Sequence, residues 1–151
     1  PDIIDAARSS LEWIDLDPAS HITAQQTVKA RQCYTKDQDG LAHPWHGRVW
    51  LNPPFSDWKQ WASKTLEELQ RGQVEEMILL GFTRTLSAQY FEPLLRRVDA
   101  LCIVTGRRVF WGKTSDSESA PDGIFLMYVG NRVERFRSHF NGIGPTWAAK
   151  P

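Results

Sequence analysis

The sequence predicts an α/β fold, a mixed sheet flanked by helices, and three observations carry that expectation. Segments with helical spacing of apolar residues alternate with short apolar runs of strand length. Three of those runs, VEEMILL, DALCIVT and IFLMYV, are nearly continuous rather than alternating, as strands covered on both faces are. At 151 residues, with 41% hydrophobic and 24% charged, the chain has the size and balance of one globular domain. That composition excludes a disordered tail, a collagen-like fibre and a disulfide scaffold.

The elements follow in order. Ile3, Ile4, Ala7 and Leu11 recur at helical spacing, which predicts an amphipathic helix over residues 2–11. WIDLDP alternates apolar and acidic residues up to Pro18, a short strand running into a loop. Residues 20–46 are polar and poorly periodic, with breakers at Asp39-Gly40 and Pro44. Arg48 to Leu51 forms a compact strand, stopped by Pro53-Pro54. Ser56 and Asp57 then read as helix caps, with Gln60 completing a capping box. Trp58, Trp61, Ala62, Thr65 and Leu69 mark one face of that helix, and Gly72 ends it.

Residues 74–80 supply the next strand, and Ser87 to Arg97 a second helix, kinked or restarted at Pro93. Asp99 to Thr105 is another strand, and Val109-Phe110-Trp111 adds a short one. KTSDSESAPDG is a loop longer than a compact domain needs. Residues 124–129 close the pattern, and the tail from Ser138 reads as loose. The domain is therefore expected to span 1–137, followed by a tail over 138–151. No internal repeat is present.

Charge is balanced, 18 basic against 18 acidic residues, but unevenly spread. Residues 1–20 hold Asp2, Asp5, Glu12, Asp15 and Asp17 against Arg8, whereas Arg84 to Lys113 is basic. One basic side suits a polyanion; solvated helix faces explain the same pattern equally well. Cys33 and Cys102, without a CxxC or paired histidines, argue against a metal site and for thiols in a reducing compartment. His43 and His46 read as loop residues. No apolar run reaches the roughly 18 residues of a membrane helix and no signal peptide opens the chain, so a cytoplasmic protein is expected.

Asn52-Pro53-Pro54-Phe55, directly after the strand VWL, is the most informative segment. A tetrapeptide [DNS]-P-P-[FWY] arises by chance in roughly one chain of this length in two hundred. The chemistry that needs it is methylation of an amino group on a ring, whose lone pair is delocalised and therefore a poor nucleophile. Two acceptors that bind its hydrogens turn that lone pair outward. The Asn52 side-chain carbonyl is one. The Pro53 main-chain carbonyl is the second, and neither proline adds a competing N–H. Phe55 stacks on a base that has left its helix. No strong base is required, because the amine becomes acidic only after transfer. The same acceptor pair suits cytosine N4, RNA adenine or a glutamine amide. Read structurally, the tetrapeptide is a proline-punctuated turn capped by its asparagine.

The blocks IDLDPAS, YTKDQDGL, GRVWLNPPFSDW, MILLGFTRT and ALCIVTGRRVFW, in that order, resemble the phage-type Dam family of DNA N6-adenine methyltransferases from about Pro1 to Val129. The resemblance implies a compact Rossmann-like fold, S-adenosylmethionine as methyl donor, and DNA as substrate in a phage or bacterial host cell. It gives Asn52, Pro53, Pro54 and Phe55 the catalytic roles above. It also implies a W-x-T-P segment before Pro1. For the cofactor, Asp15 and Asp17 at a strand end suit hydroxyl or ammonium contacts, Pro18 and Ser20 stand where the family's first loop lies, and Asp39 matches an adenine-contacting acid. Pro18-Ala19-Ser20 replaces the usual glycine-rich G-x-G. Trp45 is expected to line the substrate pocket, and Arg84 and Arg107 to meet phosphates beyond their strand ends. The alternative reading is a non-catalytic nucleic-acid-binding module on the same fold.

Overall fold

A computed structural model describes residues 2–106 and 123–149. Among these residues seven strands form one mixed sheet: β1 (Leu16–Asp17), β2 (Gln32–Cys33), β3 (Gly47–Leu51), β4 (Val74–Phe82), β5 (Ala100–Ile103), β6 (Ile124–Val129) and β7 (Thr146–Ala148), in the order β2-β1-β3-β4-β6-β5-β7. β2, β1, β3 and β4 are mutually parallel. β6 runs antiparallel to both β4 and β5, so β5 points with the parallel set, and β7 runs against it. The carboxyl ends of five strands therefore share one edge. Chain order reverses between β1 and β3, the place where open α/β sheets leave a crevice.

Helices cover both faces. On one, α1 (Asp2–Leu11), α2 (Gln25–Val28) and α5 (Val133–Phe140) bury Ile3, Ala7, Leu11, Val28, Phe136 and Phe140 against Trp50, Ile78, Leu80 and Leu126. On the other, α3 (Trp58–Arg71) and α4 (Glu92–Leu95) set Trp58, Trp61, Leu69 and Leu94 against Val49, Leu51, Met77 and Leu79. Successive residues of β4 thus serve opposite cores, which explains its unbroken apolar run. The expected α/β class and three-layer arrangement are what the protein adopts.

Several local expectations differ from the structure. The aperiodic stretch 20–46 holds α2 and β2, both too short to leave a periodic signature. Asp57 occupies the N-cap of α3 without a side-chain cap bond, because a 3-10 turn over Phe55–Asp57 leads into the helix. The helix expected from Ser87 to Arg97 breaks into 3-10 turns over Thr83–Ser87 and Gln89–Phe91 before α4, which starts beside Pro93. The segment from Ser138 is not loose as far as Ala149: Phe140 and Ile143 are buried, and β7 pairs with β5. The strand Val109-Phe110-Trp111 lies outside the described residues, as does nearly all of the KTSDSESAPDG loop.

Opposite the shared carboxyl edge, a buried charge cluster ties the elements together. Glu76 of β4, 4% exposed, accepts from Tyr128 Oη at 2.6 Å and Arg132 Nη2 at 2.6 Å, with Arg48 Nε 3.3 Å away. Arg132 also donates to Glu12, and that bond, before its Coulombic neighbours, holds the Glu12 carboxyl below its ordinary range. Burial and the bond to Glu76 push the Tyr128 hydroxyl upward.

Candidate active site

A cavity of about 560 Å³ opens beyond the carboxyl ends of β1 and β3. Its size falls in the range of small-molecule sites. It is bounded by the β1–α2 loop, by the loop after β2, and by the segment after β3. Asn52, Pro53, Pro54 and Phe55 all line it, as do Asp17, Pro18, Ser20 and Asp39. Two sets of residues expected to serve different partners thus share one space.

The NPPF segment leaves β3 in an extended path, with Pro54 at φ −60°, ψ 137°. Pro53 is buried and Asn52 half-buried. The Asn52 amide makes no side-chain hydrogen bond among the described residues, so its carbonyl is available to a ligand. Phe55 stacks on Phe82 with centroids 3.8 Å apart and planes at 29°. Phe82 ends β4, the central strand, and the Arg84 guanidinium lies 5.5 Å from the centroid of its ring. Arg84 is exposed but does not line the cavity.

Asp17 is 2% exposed. Burial raises its carboxyl to about 6, although bonds from Ser20, the Ala19 N–H and Gln25 offset part of that rise. Gln25 Nε2 donates to Asp17 Oδ2 at 2.8 Å, and no cation pairs with this carboxylate among the described residues. The neighbouring Cys33 thiol is likewise pushed up, by burial first and then by the Asp17 charge. Asp39 has a positive φ of 58° and caps a 3-10 turn through Leu41 N at 3.2 Å. Gly40 follows because a Cβ there would collide with the Pro18 carbonyl. That close approach brings the Asp39 turn against the β1 loop and closes the cavity wall.

Two more of the expected site residues do not line the cavity. Asp15 lies at the other end of the strands, where Oδ2 accepts from Arg48 N at 2.9 Å and Oδ1 from Trp13 Nε1 at 3.1 Å and Arg31 Nη1 at 3.3 Å. It precedes β1, two residues before Asp17. Trp45 is 1% exposed and belongs to the core, stacked near Trp61 at 6.2 Å. Its backbone N–H donates to buried Glu68 at 2.7 Å and its indole N–H to the Gly40 carbonyl at 2.9 Å. Trp45 therefore braces the cavity wall from behind. Arg107 lies outside the described residues.

Sequence reasoning did not single out Tyr34, Leu41 or Gln25. Tyr34 lines the cavity and stacks on His43 at 4.6 Å, a flat apolar wall for a planar ligand. Its only sequence signal is its place at the head of the YTKDQDGL block. Asp17 supplies an acceptor for hydroxyls or an ammonium, Tyr34 and Leu41 an apolar surface, and Asn52 with the Pro53 carbonyl a pair of acceptors. This set of acceptors and walls fits a nucleoside bearing an amino-acid tail. Among the described residues no group of three or more His, Cys, Asp or Glu could hold a metal ion, and no helix is long and apolar enough to cross a membrane.

The family model described as DNA N-6-adenine-methyltransferase (Dam) matches residues 2–134. None of the curated proteins matches this chain. Among solved structures, a Thermoplasma acidophilum protein designated 1320 is similar at 16% identity over 73% of this chain, with a TM-score of 0.38. The chain spans 60% of that protein's length.

Proposed function

We propose, for a chain that belongs to the Dam family of DNA N-6-adenine methyltransferases, that it moves a methyl group from S-adenosylmethionine to the N6 amine of an adenine turned out of the DNA helix. The observation that carries this reading is the single cavity lined by both the NPPF segment and the buried Asp17.

Bound S-adenosylmethionine supplies an electrophilic methyl carbon. The chain's residues do the rest. Asp17 accepts hydrogen bonds from hydroxyls or the ammonium of the cofactor, Asp39 offers a second carboxylate, and Tyr34 and Leu41 contact its flat ring. The Asn52 side-chain oxygen and the Pro53 carbonyl accept the two N6 hydrogens and so draw the nitrogen lone pair out of conjugation. Phe55, backed by Phe82, stacks on the displaced base. Pro53 and Pro54 add no donor that would compete for those oxygens. Catalysis here is positioning and electrostatics, with the proton leaving the nitrogen only after methylation. Arg84, exposed beyond β4, meets backbone phosphate.

Incubation with tritiated S-adenosylmethionine and unmethylated DNA tests the proposal. Label should enter DNA as N6-methyladenine after digestion, and Asn52→Ala should lower the rate by about 10²- to 10³-fold, the usual cost of one such acceptor or donor. Unlabelled DNA, or undiminished labelling by the variant, would overturn it. Label on cytosine N4 would move the reading to a different amine. Calorimetry with S-adenosylhomocysteine separates an enzyme from a binding module, because only the former needs the donor pocket filled.

A further inference from the structure

We propose that Gln25 is a positioning residue: it holds Asp17 with a carboxylate edge turned to the cavity, and so sets the affinity for the cofactor. The inference rests on the reading of Asp17 as a cofactor-binding carboxylate.

The Gln25 amide uses every hydrogen-bonding direction that matters. Its Oε1 accepts from the Ala30 N–H at 2.9 Å. Its Nε2 donates to Asp17 Oδ2 at 2.8 Å and to Ser20 Oγ at 2.7 Å. A backbone N–H can only donate and a carboxylate can only accept, so the amide cannot be turned over without losing both contacts. Its orientation is fixed by the partners at either end. Among the described residues the other Asp17 oxygen accepts from the Ala19 N–H at a long 3.4 Å, and the Ser20 side chain adds a bond to the same carboxyl. Gln25 anchors the Oδ2 edge at short range, and the Oδ1 edge is held only loosely and can turn to a ligand.

Gln25 is also the first residue of α2, a four-residue helix ending in a left-handed Lys29. Through Ala30 beyond that helix and Ser20 before it, the one side chain joins both ends of the segment that walls the cavity. A neutral donor suits this place better than a lysine or arginine. It steadies the charge of Asp17 without neutralising it, so the carboxylate still attracts a cationic or hydroxylic ligand. The titratable groups beside Asp17 or lining its cavity are Cys33 on β2, Tyr34, Lys36 and Asp39 after it, His21 ahead of α2, and Asp57 ahead of α3; the segment after β3 contributes the uncharged Asn52.

Two measurements on the purified chain decide the matter: S-adenosylhomocysteine binding by calorimetry at neutral pH, and the Asp17 titration followed through its own carboxyl carbon by NMR. Gln25→Leu keeps the bulk and removes the amide. It should weaken binding about tenfold, the worth of one charge-assisted hydrogen bond, and move the Asp17 midpoint to higher pH. Gln25→Glu, which keeps an acceptor for the Ala30 N–H but loses the donor to Asp17, should weaken binding at least as much and also raise the midpoint. Equal affinity and an unmoved midpoint in Gln25→Leu would overturn the proposal, as would wild-type binding and an unmoved midpoint in Gln25→Glu. If Gln25→Leu does not fold, the side-chain amide resonances of wild-type Gln25 serve instead: they should track the Asp17 titration and shift on ligand binding, and indifference to both would refute the role. A wild-type chain that ignores S-adenosylhomocysteine removes the methyltransferase reading, while the midpoint comparison still judges Gln25.

Discussion

Ionised Asp17 sits buried with no counter-cation among the described residues, and that has a cost the folded chain carries at neutral pH. Its carboxyl lies near 6 when folded against an ordinary 3.8. Below both values the folded and unfolded chains bind the proton alike. As pH rises between them, the unfolded chain ionises first and gains stability relative to the fold. Above about 6 the full penalty of about 3 kcal/mol is in place. Asp17→Asn should therefore raise the unfolding free energy at neutral pH by up to that amount, with the gain vanishing towards pH 4. Chemical denaturation at several pH values measures it, and the same variant should lose affinity for S-adenosylhomocysteine. Greater stability joined to weaker binding is what a carboxylate kept for a ligand produces.

This residue also shows what the sequence could and could not convey. Proline after an acid at a strand end marked Asp17, and the prolines after VWL marked Asn52 to Phe55, because both signals are local in the chain. Asp15 belonged to the same alternating acidic segment yet lies at the opposite end of the strands, since a strand of only two residues leaves no pattern from which to read where it starts. Trp45 looked like a pocket aromatic; its indole and backbone donors both find buried acceptors, which only the fold reveals. Gln25 was invisible for the same reason, as its partners lie five and eight residues away across a turn.

At the scale of elements, the cavity is made by loops whose spacing is set by backbone contact. The turn at Asp39-Gly40 rests on the β1 loop at a point with no room for a methyl group, and Trp45, held by Glu68 of α3, pins the Gly40 carbonyl from behind. Gly40→Ala should push the turn outward. A loss of about 1 to 3 kcal/mol in thermal unfolding is expected for such overpacking, with a larger proportional loss in S-adenosylhomocysteine affinity, because the displaced wall carries Asp39 and Leu41. Calorimetry and melting of the one variant report both. The strands and long helices were legible because both-face burial and helical spacing leave repeats of several residues. The regular pieces that wall the cavity, α2 and two 3-10 turns over Gly40–Ala42 and Phe55–Asp57, are each four residues or fewer and leave no such trace.

For the whole molecule, the two edges of the sheet do opposite work. The amino edge of the parallel strands is locked by Glu76, which gathers Arg48 from β3, Tyr128 from β6 and Arg132 ahead of α5. Removing one member of a buried ionic set strands the others. Glu76→Gln should lower stability by about 3 kcal/mol, read as a shift of the urea midpoint, while the affinity of the remaining folded chain for S-adenosylhomocysteine stays within about twofold. The carboxyl edge holds Asn52, whose side chain makes no hydrogen bond among the described residues, and an Asp17 oxygen that accepts from the Ala19 N–H only at a long 3.4 Å.

That uncompensated carboxylate gives the empty protein a reason to be short-lived. Any molecule that brings a positive group or hydroxyls to Asp17 relieves a penalty as well as adding contacts, so occupancy and endurance rise together. Where proteases sample the opened chain, the ligand-bound form would outlast the ligand-free one, and under the proposed function abundance would follow the supply of S-adenosylmethionine.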